Sequence, residues 1–211
     1  MLQQAPAEQV MTFGGREISY DETVLTPRPW TEGQSHWARE LLDEAPPGRV
    51  LEVCAGAGHI GLLAVVGTDR ELVQVDADVS ACTWALKNSR AWGVESEIRL
   101  GSMIDVLEPD ERFALIIADP PYLPTDGVGQ YPEDPVTAID GGADGLDLAR
   151  MCLDVMTRHL GRGAVGLLQL RDLDQGEQLT SDAAARGLEV AEGRQFDGGA
   201  VLLLRRVTEA I

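Results

Sequence analysis

Two loops in this chain combine residue types and spacing that suit ligand chemistry. The first is Glu52-Val53-Cys54-Ala55-Gly56-Ala57-Gly58, which directly follows an apolar strand segment. The second is Asp119-Pro120-Pro121-Tyr122, which closes another apolar run. Because both follow buried strands, both loops are expected along the ligand-binding edge of an open α/β sheet. Together they predict a nucleotide-like cofactor beside a planar amino or amide group.

The first loop has the features of a turn that brings the backbone close to a cofactor. Gly56 and Gly58 permit a sharp turn, and a helix starting near His59 would direct free amides at the ligand. Glu52 can accept a hydrogen bond from a cationic amino group. Asp76, 24 residues later at the next strand end, suits the two hydroxyls of a ribose. A dinucleotide-binding turn and a glycine turn needed only for packing are the alternatives.

The second loop suits the binding of a nitrogen that receives a transferred group. Consecutive prolines remove two amide donors and fix both φ angles, so the chain leaves the sheet rigidly. An NH2 group can then donate to the Asp119 carboxylate and to the Pro120 carbonyl, while Tyr122 offers a flat face for stacking. A proline-rich turn that merely ends a strand is the alternative.

The elements that would position these loops alternate between strands and helices. Strands are predicted near 49–53, 71–76, 95–100, 113–118 and 163–170, and helices near 59–67, 78–92, 145–160 and 175–186. This alternation indicates a mostly parallel sheet with helices on both faces. Two further strands, near 188–195 and 200–207, are joined by a tight turn and are therefore antiparallel. The predicted fold class is α/β, a Rossmann-like seven-stranded sheet with a reversed last strand.

We predict a single domain over residues 1–211. Residues 1–12 are expected to be a flexible leader, residues 13–45 a hairpin and a helix, and residues 46–211 the Rossmann-like core. Thr31 is the predicted cap of the N-terminal helix, which is expected to run through Ala45. Gly93, Gly161 and Gly187 are expected just past helix ends.

The composition narrows the possible partners and the compartment. The formal net charge is -18, with 17 basic and 35 acidic residues, which disfavours a nucleic-acid substrate. No apolar run is long enough for a membrane span and no signal peptide is visible, so a cytoplasmic protein is expected. The three cysteines and three histidines show no metal-site spacing, and no metal is predicted. His59 is the histidine best placed for a role, because it begins the helix after the first loop.

These residues resemble the HemK-type family of release-factor glutamine methyltransferases, which use S-adenosylmethionine, over roughly residues 13 to 170. The more specific matches are the segments Thr26-Pro27-Arg28-Pro29-Trp30-Thr31-Glu32 and Ala138-Ile139-Asp140-Gly141-Gly142-Ala143-Asp144-Gly145-Leu146. The resemblance implies that residues 54–58 contact the methionine part of the cofactor, Asp76 the ribose and Met103 the adenine. It also implies that Arg28 and residues 119–122 bind the methyl acceptor, with Asp119, Pro120 and Tyr122 at the reacting nitrogen and Asp119 also beside the cofactor.

The chain departs from the family pattern at four points. Asp119 replaces an Asn, which can both donate and accept, whereas an ionised Asp only accepts. Cys54 replaces the first glycine of the cofactor turn, and Ser102 replaces an acid after the third core strand. The family's small helical N-terminal domain is also missing from this sequence.

An S-adenosylmethionine-dependent N-methyltransferase is therefore expected, and its acceptor stays open. The first hypothesis is a side-chain nitrogen of a protein or peptide, and the second is an amine or amide of a small metabolite. The third, an amino group of a nucleic-acid base, is disfavoured by the acidic charge. A non-catalytic cofactor-binding subunit of a methyltransferase complex is the remaining alternative, and a partner subunit is possible in either case.

Overall fold

A seven-stranded sheet forms the centre of the computed structural model, which describes residues 6–207. A separate hairpin pairs two strands, β1 and β2, with each other. The strands are β1 (Gln9–Phe13), β2 (Arg16–Tyr20), β3 (Val50–Val53), β4 (Leu72–Asp76), β5 (Ser96–Leu100), β6 (Phe113–Ala118), β7 (Leu160–Leu170), β8 (Leu188–Phe196) and β9 (Gly199–Arg206).

The strand order in the large sheet is β5-β4-β3-β6-β7-β9-β8. Strands β3 to β7 pair in parallel, and β9 runs antiparallel to both β7 and β8. The predicted fold class is therefore confirmed, including the reversed last strand. Because the order reverses direction between β3 and β6, a crevice forms there at the carboxyl edge of the sheet, which is where open α/β sheets bind ligands.

Six helices cover the two faces of the sheet within the described residues. They are α1 (Glu32–Leu42), α2 (His59–Val65), α3 (Val79–Trp92), α4 (Val136–Ile139), α5 (Asp147–His159) and α6 (Leu173–Ala185). One apolar cluster joins α1, α2, α3 and the hairpin to one face, and a second joins α5 and α6 to the other. Between residues 6 and 207, no helix combines the length and apolar character that a bilayer crossing requires.

The N-terminal hairpin begins inside the segment expected to be a leader. Residues 1–5 lie outside the described residues, and β1 starts at Gln9, where it pairs with Tyr20. Met11 packs against the apolar cluster and Phe13 is fully buried. The sequence predicts the hairpin only from Phe13 onward, because two inward side chains before the turn are too short a run to give a periodic signal.

The first helix differs from its prediction at both ends. Pro29–Thr31 forms a 3-10 turn, and the Thr31 hydroxyl donates to the Arg28 carbonyl at 2.8 Å instead of capping α1. The helix ends at Leu42 rather than Ala45, because Pro46 and Pro47 have no N–H to donate to the carbonyls of Leu42 and Asp43. The guanidinium of Arg70 donates to the Leu42 and Ala45 carbonyls instead.

The boundary between α5 and β7 also differs from the prediction. β7 begins at Leu160, which is buried and pairs with Phe113, so Gly161 lies within a strand and does not cap a helix. Gly93 and Gly187 do adopt left-handed backbone conformations just past helix ends, with φ of 68° and 71°, as predicted.

Asn88 on α3 links the hairpin to the turn after β3 through side-chain hydrogen bonds. Its Nδ2 donates to the carbonyls of Ser19 and Ala57, each at 2.9 Å, and its Oδ1 accepts from the Ser19 N–H at 2.9 Å. The side chain is 1% exposed, so no water can replace these bonds. The hairpin and the turn after β3 are therefore held by one buried amide.

Replacing Asn88 with Ala should lower the free energy of unfolding by about 2–3 kcal/mol, because buried backbone groups at Ser19 and Ala57 lose their partner. Chemical denaturation measures this change. The matched control is Thr83→Ala, at an exposed position on the same helix, which should change the free energy by less than about 0.5 kcal/mol. An equally small effect at Asn88 would show that it is not an anchor.

Candidate active site

A cavity of about 390 Å³ opens at the carboxyl ends of β3, β4, β5 and β6. The segment that precedes α1, the loops after these strands, and α5 form its walls. The lining residues are those at 23–28, 54–56, 75–78 and 101–103, with His59, Ile60, Ala81, Asp119, Pro121, Pro135, Thr137, Ala138, Leu148 and Met151. Both loops that the sequence singled out therefore meet at one cavity.

The turn after β3 passes through three left-handed backbone conformations. Cys54, Gly56 and Gly58 have φ of 56°, 51° and 80°, and Cys54 is the only non-glycine residue with a positive φ among residues 6–207. A Cβ at Gly58 would lie 2.6 Å from Nε2 of Gln74, so glycine is required there for packing. Cys54 instead adopts the conformation that glycine takes at lower energy.

Sulfur contacts hold the Cys54 side chain at the cavity wall. The neighbouring Cys152 thiol on α5, together with burial, raises the Cys54 pKa. The Cys152 Sγ lies 3.8 Å from the Sδ of Met103, which also lines the cavity. The left-handed residue is therefore packed between the cofactor turn and α5, and its thiol stays protonated at neutral pH.

Glu52 lies behind the turn and outside the cavity lining. Its Oε1 accepts from the Gly61 N–H at 3.0 Å and its Oε2 from Nε2 of Gln74 at 2.5 Å. Gln74 also donates to the Gly58 carbonyl at 3.0 Å. The predicted partner of a cationic amino group thus has both carboxylate oxygens engaged with the protein. Burial raises the pKa of Glu52 to about 7.

Asp76 lies at the end of β4, in the cavity, where the sequence predicts it. Its Oδ2 accepts from the Gly56 N–H at 2.8 Å and its Oδ1 from the Asp78 N–H at 2.9 Å. Each oxygen has a second lone pair free for a ligand hydroxyl. Burial raises the pKa of Asp76.

Asp119 follows β6 directly and lies in the cavity wall with Pro121. Burial raises the pKa of Asp119 to about 7, an effect that the positive charge of Arg28 partly opposes. Near neutral pH a large share of these carboxyl groups is therefore protonated. A protonated Asp can donate as well as accept, like the Asn it replaces in the family pattern.

Arg28 connects the entry segment to the far wall of the cavity. Its Nη2 lies 2.5 Å from Oδ2 of Asp134, a side chain that is only 6% exposed. This ion pair joins the segment before α1 to the loop before α4. The pair also places the positive charge of the Arg28 guanidinium near Asp119.

The glycine-rich segment at 140–145 packs closely against the backbone of the loop Asp119-Pro120-Pro121-Tyr122. A Cβ at Gly141 would lie 2.7 Å from the Pro121 carbonyl oxygen, and one at Gly145 would lie 2.5 Å from that of Tyr122. Leu123 donates to the Ile139 carbonyl, and its own carbonyl accepts from Gly141. These close backbone contacts explain why glycines recur in this segment.

The structure brings only part of the predicted site to the cavity surface. Of the predicted cofactor residues, those at the surface are Cys54, Ala55, Gly56, Asp76, Met103 and Asp119, while Glu52, Ala57 and Gly58 lie behind it. Of the predicted acceptor residues, Arg28, Asp119 and Pro121 line it, and Pro120 and Tyr122 do not. Burial raises the pKa of Tyr122.

No sequence pattern predicted the wall formed by Thr137 and Ala138, together with Leu148 and Met151 on α5. Glu133-Asp134-Pro135 directly precedes this wall, and proline before a short helix was the available signal. Its position over the cavity depends on the Arg28 ion pair, which joins residues 106 positions apart.

The cofactor implied by the resemblance fits these residues. A Cβ at Gly56 would meet no atom within 4 Å, so the turn leaves open space beside its backbone. Met103, Leu148 and Met151 give an apolar surface suited to an adenine ring. Asp76 adds a carboxylate for ribose hydroxyls.

Stability should fall as the pH rises from about 4.5 to about 7. Folding raises the pKa of Glu52 from 4.5 to about 7. The contribution of Glu52 to stability is therefore fully present below pH 4.5 and is lost as the pH rises to about 7. For Glu52 the loss is up to about 3 kcal/mol. Asp119 acts in the same direction.

Denaturant unfolding between pH 5 and pH 8 tests this assignment. Glu52→Gln should be less stable than the unaltered protein at pH 5, because the amide NH2, unlike either oxygen of a carboxylic acid, cannot accept a hydrogen bond from Gly61 or Gln74. Its stability should also depend less on pH. An unchanged pH dependence would show that Glu52 does not titrate in this range. Glu44→Gln, at an exposed position, is the control.

The profile of the methyltransferase small domain family matches residues 35–130. The release factor glutamine methyltransferase of Deinococcus radiodurans is 35% identical over 163 residues, which cover 75% of this chain and 58% of the relative. The ribosomal protein uL3 glutamine methyltransferase of Bordetella pertussis is 30% identical over 207 residues, covering 91% and 66%. The chain therefore spans about three fifths of the length of these relatives.

Solved structures show the same fold at low sequence identity. A ribosomal protein L11 methylase from Lactobacillus delbrueckii superposes with a TM-score of 0.66 at 15% identity, covering 89% of this chain and 83% of the other. A Pyrococcus abyssi tRNA (uracil-54, C5)-methyltransferase in complex with S-adenosyl-L-homocysteine gives 0.63 at 12% identity, covering 94% and 44%. These structures show the fold. The sequence matches show that the chain belongs to the HemK-type family of S-adenosylmethionine-dependent methyltransferases.

Proposed function

We propose that this protein transfers a methyl group from S-adenosylmethionine to a side-chain amide nitrogen of a protein, with glutamine as the favoured acceptor. The observation that carries the proposal is the position of Asp119, which closes β6 and lines the same cavity as the turn after β3. The acceptor loop and the cofactor turn thus face one enclosed space. When bound, the cofactor supplies an electrophilic methyl group on its sulfonium.

The strand order of the sheet arranges the cofactor contacts in sequence. Along the edge β5-β4-β3-β6, the cavity presents Met103, Asp76, the turn at 54–56 and finally Asp119. These residues would hold adenine, ribose, the methionine part and the methyl acceptor, in that order. The chain's own work is to bind and orient both partners and to exclude water from between them.

A protonated Asp119 suits an amide acceptor. A carboxylic acid and a primary amide can form two hydrogen bonds at once: the acid carbonyl accepts an amide N–H, and the acid O–H donates to the amide carbonyl. Burial supports this arrangement, since it raises the pKa of Asp119 to about 7. An ionised Asp119 would instead repel the amide oxygen.

Two further observations favour a protein acceptor. The relatives reported above are named for glutamine methylation of a release factor and of a ribosomal protein. The formal net charge of -18 opposes binding to a nucleic-acid backbone. Arg28, paired with Asp134 at the cavity wall, would lie on the acceptor side, and Tyr122 would contribute to the shape of the acceptor loop.

Transfer of labelled methyl from S-adenosylmethionine into a cell extract tests the proposal. The extract is then divided into protein, nucleic-acid and small-molecule fractions, and labelled protein is hydrolysed to identify the modified residue. Label on glutamine nitrogen is expected. Label confined to the nucleic-acid or small-molecule fraction would contradict a protein acceptor.

The rate of methyl transfer should fall as the pH rises through about 7, because the amide-binding form of Asp119 is the protonated one. Well above that pH the loss should approach about tenfold per pH unit. Asp119→Asn keeps a donor and an acceptor without titrating, so it should retain activity with a flatter pH profile. Initial rates between pH 6 and pH 9 measure both effects.

The direction of the pH profile decides between acceptor classes. A rate that rises through pH 7, together with loss of activity in Asp119→Asn, would indicate an amine or guanidine acceptor and contradict the amide. Asp110→Asn, at an exposed position, is the control and should behave like the unaltered protein.

Asp76→Ala should weaken the binding of both S-adenosylhomocysteine and methylthioadenosine by at least about tenfold, because both ligands carry the ribose. Isothermal titration calorimetry measures the dissociation constants. Asp69→Ala, at an exposed position before the opposite end of β4, is the matched control. Unchanged binding of both ligands to Asp76→Ala would contradict the ribose assignment.

A further inference from the structure

Gln175 is a buried polar side chain that lies beside the acceptor loop (residues 119–122) but outside the cavity lining. It belongs to the first turn of α6 and is 1% exposed. Its backbone N–H donates at 2.7 Å to Oδ1 of Asp172, the residue that caps this helix. The capped first turn therefore fixes the backbone of Gln175 next to the loop.

Both polar atoms of the Gln175 side chain have hydrogen-bond partners. Its Nε2 donates to the carbonyls of Tyr122 at 2.9 Å and Gly145 at 3.3 Å. Its Oε1 accepts from the Arg171 N–H at 3.0 Å. The reverse orientation of the amide would place an oxygen against two carbonyls and an NH2 group against an N–H. The amide therefore has one favourable orientation, in which its two donors point at backbone carbonyls.

The acceptor loop has few backbone hydrogen bonds of its own. Pro120 and Pro121 have no N–H to donate. Between residues 6 and 207, no backbone N–H donates to the Tyr122 carbonyl, so the bond from Gln175 is the one that holds it. The next residue, Leu123, is held by backbone bonds to the segment at 139–141. Gln175 thus anchors the end of the loop that lies furthest from β6.

This anchor lies three residues from Asp119, which lines the cavity. The two prolines between them fix their own φ angles, so the chain from 119 to 122 is stiff. A shift of the Tyr122 carbonyl is therefore passed to Asp119 instead of being absorbed within the loop. A misplacement of about 1 Å at a reacting centre can lower the rate about 100-fold.

We propose that Gln175 is a positioning residue for methyl transfer, because it fixes the Tyr122 carbonyl and thereby the Asp119 carboxyl group. This role rests on the proposed function. The cavity residues predicted to contact the cofactor lie mainly in the loops after β3, β4 and β5, and the hydrogen bonds of Gln175 go to none of these loops. Gln175 should therefore affect transfer and leave cofactor binding unchanged.

Gln175→Met tests the proposal, because it keeps the length of the side chain and removes both donors. The initial rate of labelled methyl transfer into the protein fraction of a cell extract, at saturating S-adenosylmethionine, should fall at least about tenfold. The dissociation constant of S-adenosylhomocysteine, measured by calorimetry, should change by less than about twofold. Both are measured at a temperature at which circular dichroism shows the variant to be fully folded.

The pH profile separates positioning from a general loss of stability. Burial raises the pKa of Asp119 to about 7, so a loop that moves toward water should lower this pKa. The rate of Gln175→Met should therefore fall at a lower pH than the rate of the unaltered protein. A loss of stability alone would leave the profile of the folded protein where it is. Initial rates between about pH 5 and pH 8 measure the difference.

Two further variants act on the same carbonyl. In Gln175→Glu a protonated carboxyl group can still accept from Arg171 and donate to Tyr122, so at pH 6 this variant should retain more activity than Gln175→Met. A Cβ at Gly145 would lie 2.5 Å from the Tyr122 oxygen, so Gly145→Ala should reproduce the selective fall in rate. These variants provide the same comparison if Gln175→Met fails to fold.

Gln178→Met is the matched control, because Gln178 is the same residue type on the same helix but is exposed. It should leave the rate, the dissociation constant and the pH profile unchanged.

Three results would overturn the proposal. An unchanged rate in folded Gln175→Met would mean that the loop does not need this anchor. An equal loss of transfer and of S-adenosylhomocysteine binding would assign Gln175 to the stability of the whole site. A pH profile that does not move would show that Asp119 keeps its place. Failure of the unaltered protein to bind S-adenosylhomocysteine and to transfer methyl is a separate result, which would overturn the proposed function itself.

Discussion

The hydrogen bonds of the buried Glu52 carboxyl group are the interactions on which the rest of the site depends. The carboxyl group joins the end of β3 to the start of α2 through the Gly61 N–H, and Gln74 extends the connection to β4 and to the Gly58 carbonyl. A Cβ at Gly61 would lie 2.5 Å from Oε2 of Glu52. The glycines after β3 are therefore required by this buried polar contact as much as by the ligand.

The parallel sheet turns this local arrangement into a linear binding site. Adjacent strands end at one edge, so the loops after β5, β4, β3 and β6 lie side by side although they are far apart in the chain. The reversal of strand order beside β3 opens the crevice in which the cofactor turn and the acceptor loop meet. The segment before α1 closes that space from one side, and the Arg28–Asp134 ion pair joins this segment to the loop before α4.

Three acids lie in or directly behind the cavity wall, and burial is the main cause of their raised pKa values. Burial raises the pKa values of Glu52, Asp76 and Asp119, and the charges of Asp76 and Asp119 add to the effect at Glu52. A cationic ligand would offset this negative charge. Burial gives Asp119 the proton donor that an ionised carboxylate lacks, so the departure from Asn is compatible with relatives that are named for glutamine methylation.

The sequence by itself determined the sheet, its reversed last strand and the two loops, because buried strands, glycine turns and consecutive prolines are local signals. Tertiary structure alone decided which side chains face the ligand. Glu52 lies behind the cavity surface and Tyr122 outside its lining, whereas His59, Pro135, Thr137 and Ala138 line it. The spacing of residues along the chain cannot show which side chains line the cavity, because the hydrogen-bond partners of Glu52 and His59 come from other elements. The raised pKa of Asp119 likewise arises from burial by the fold, which a residue type does not encode.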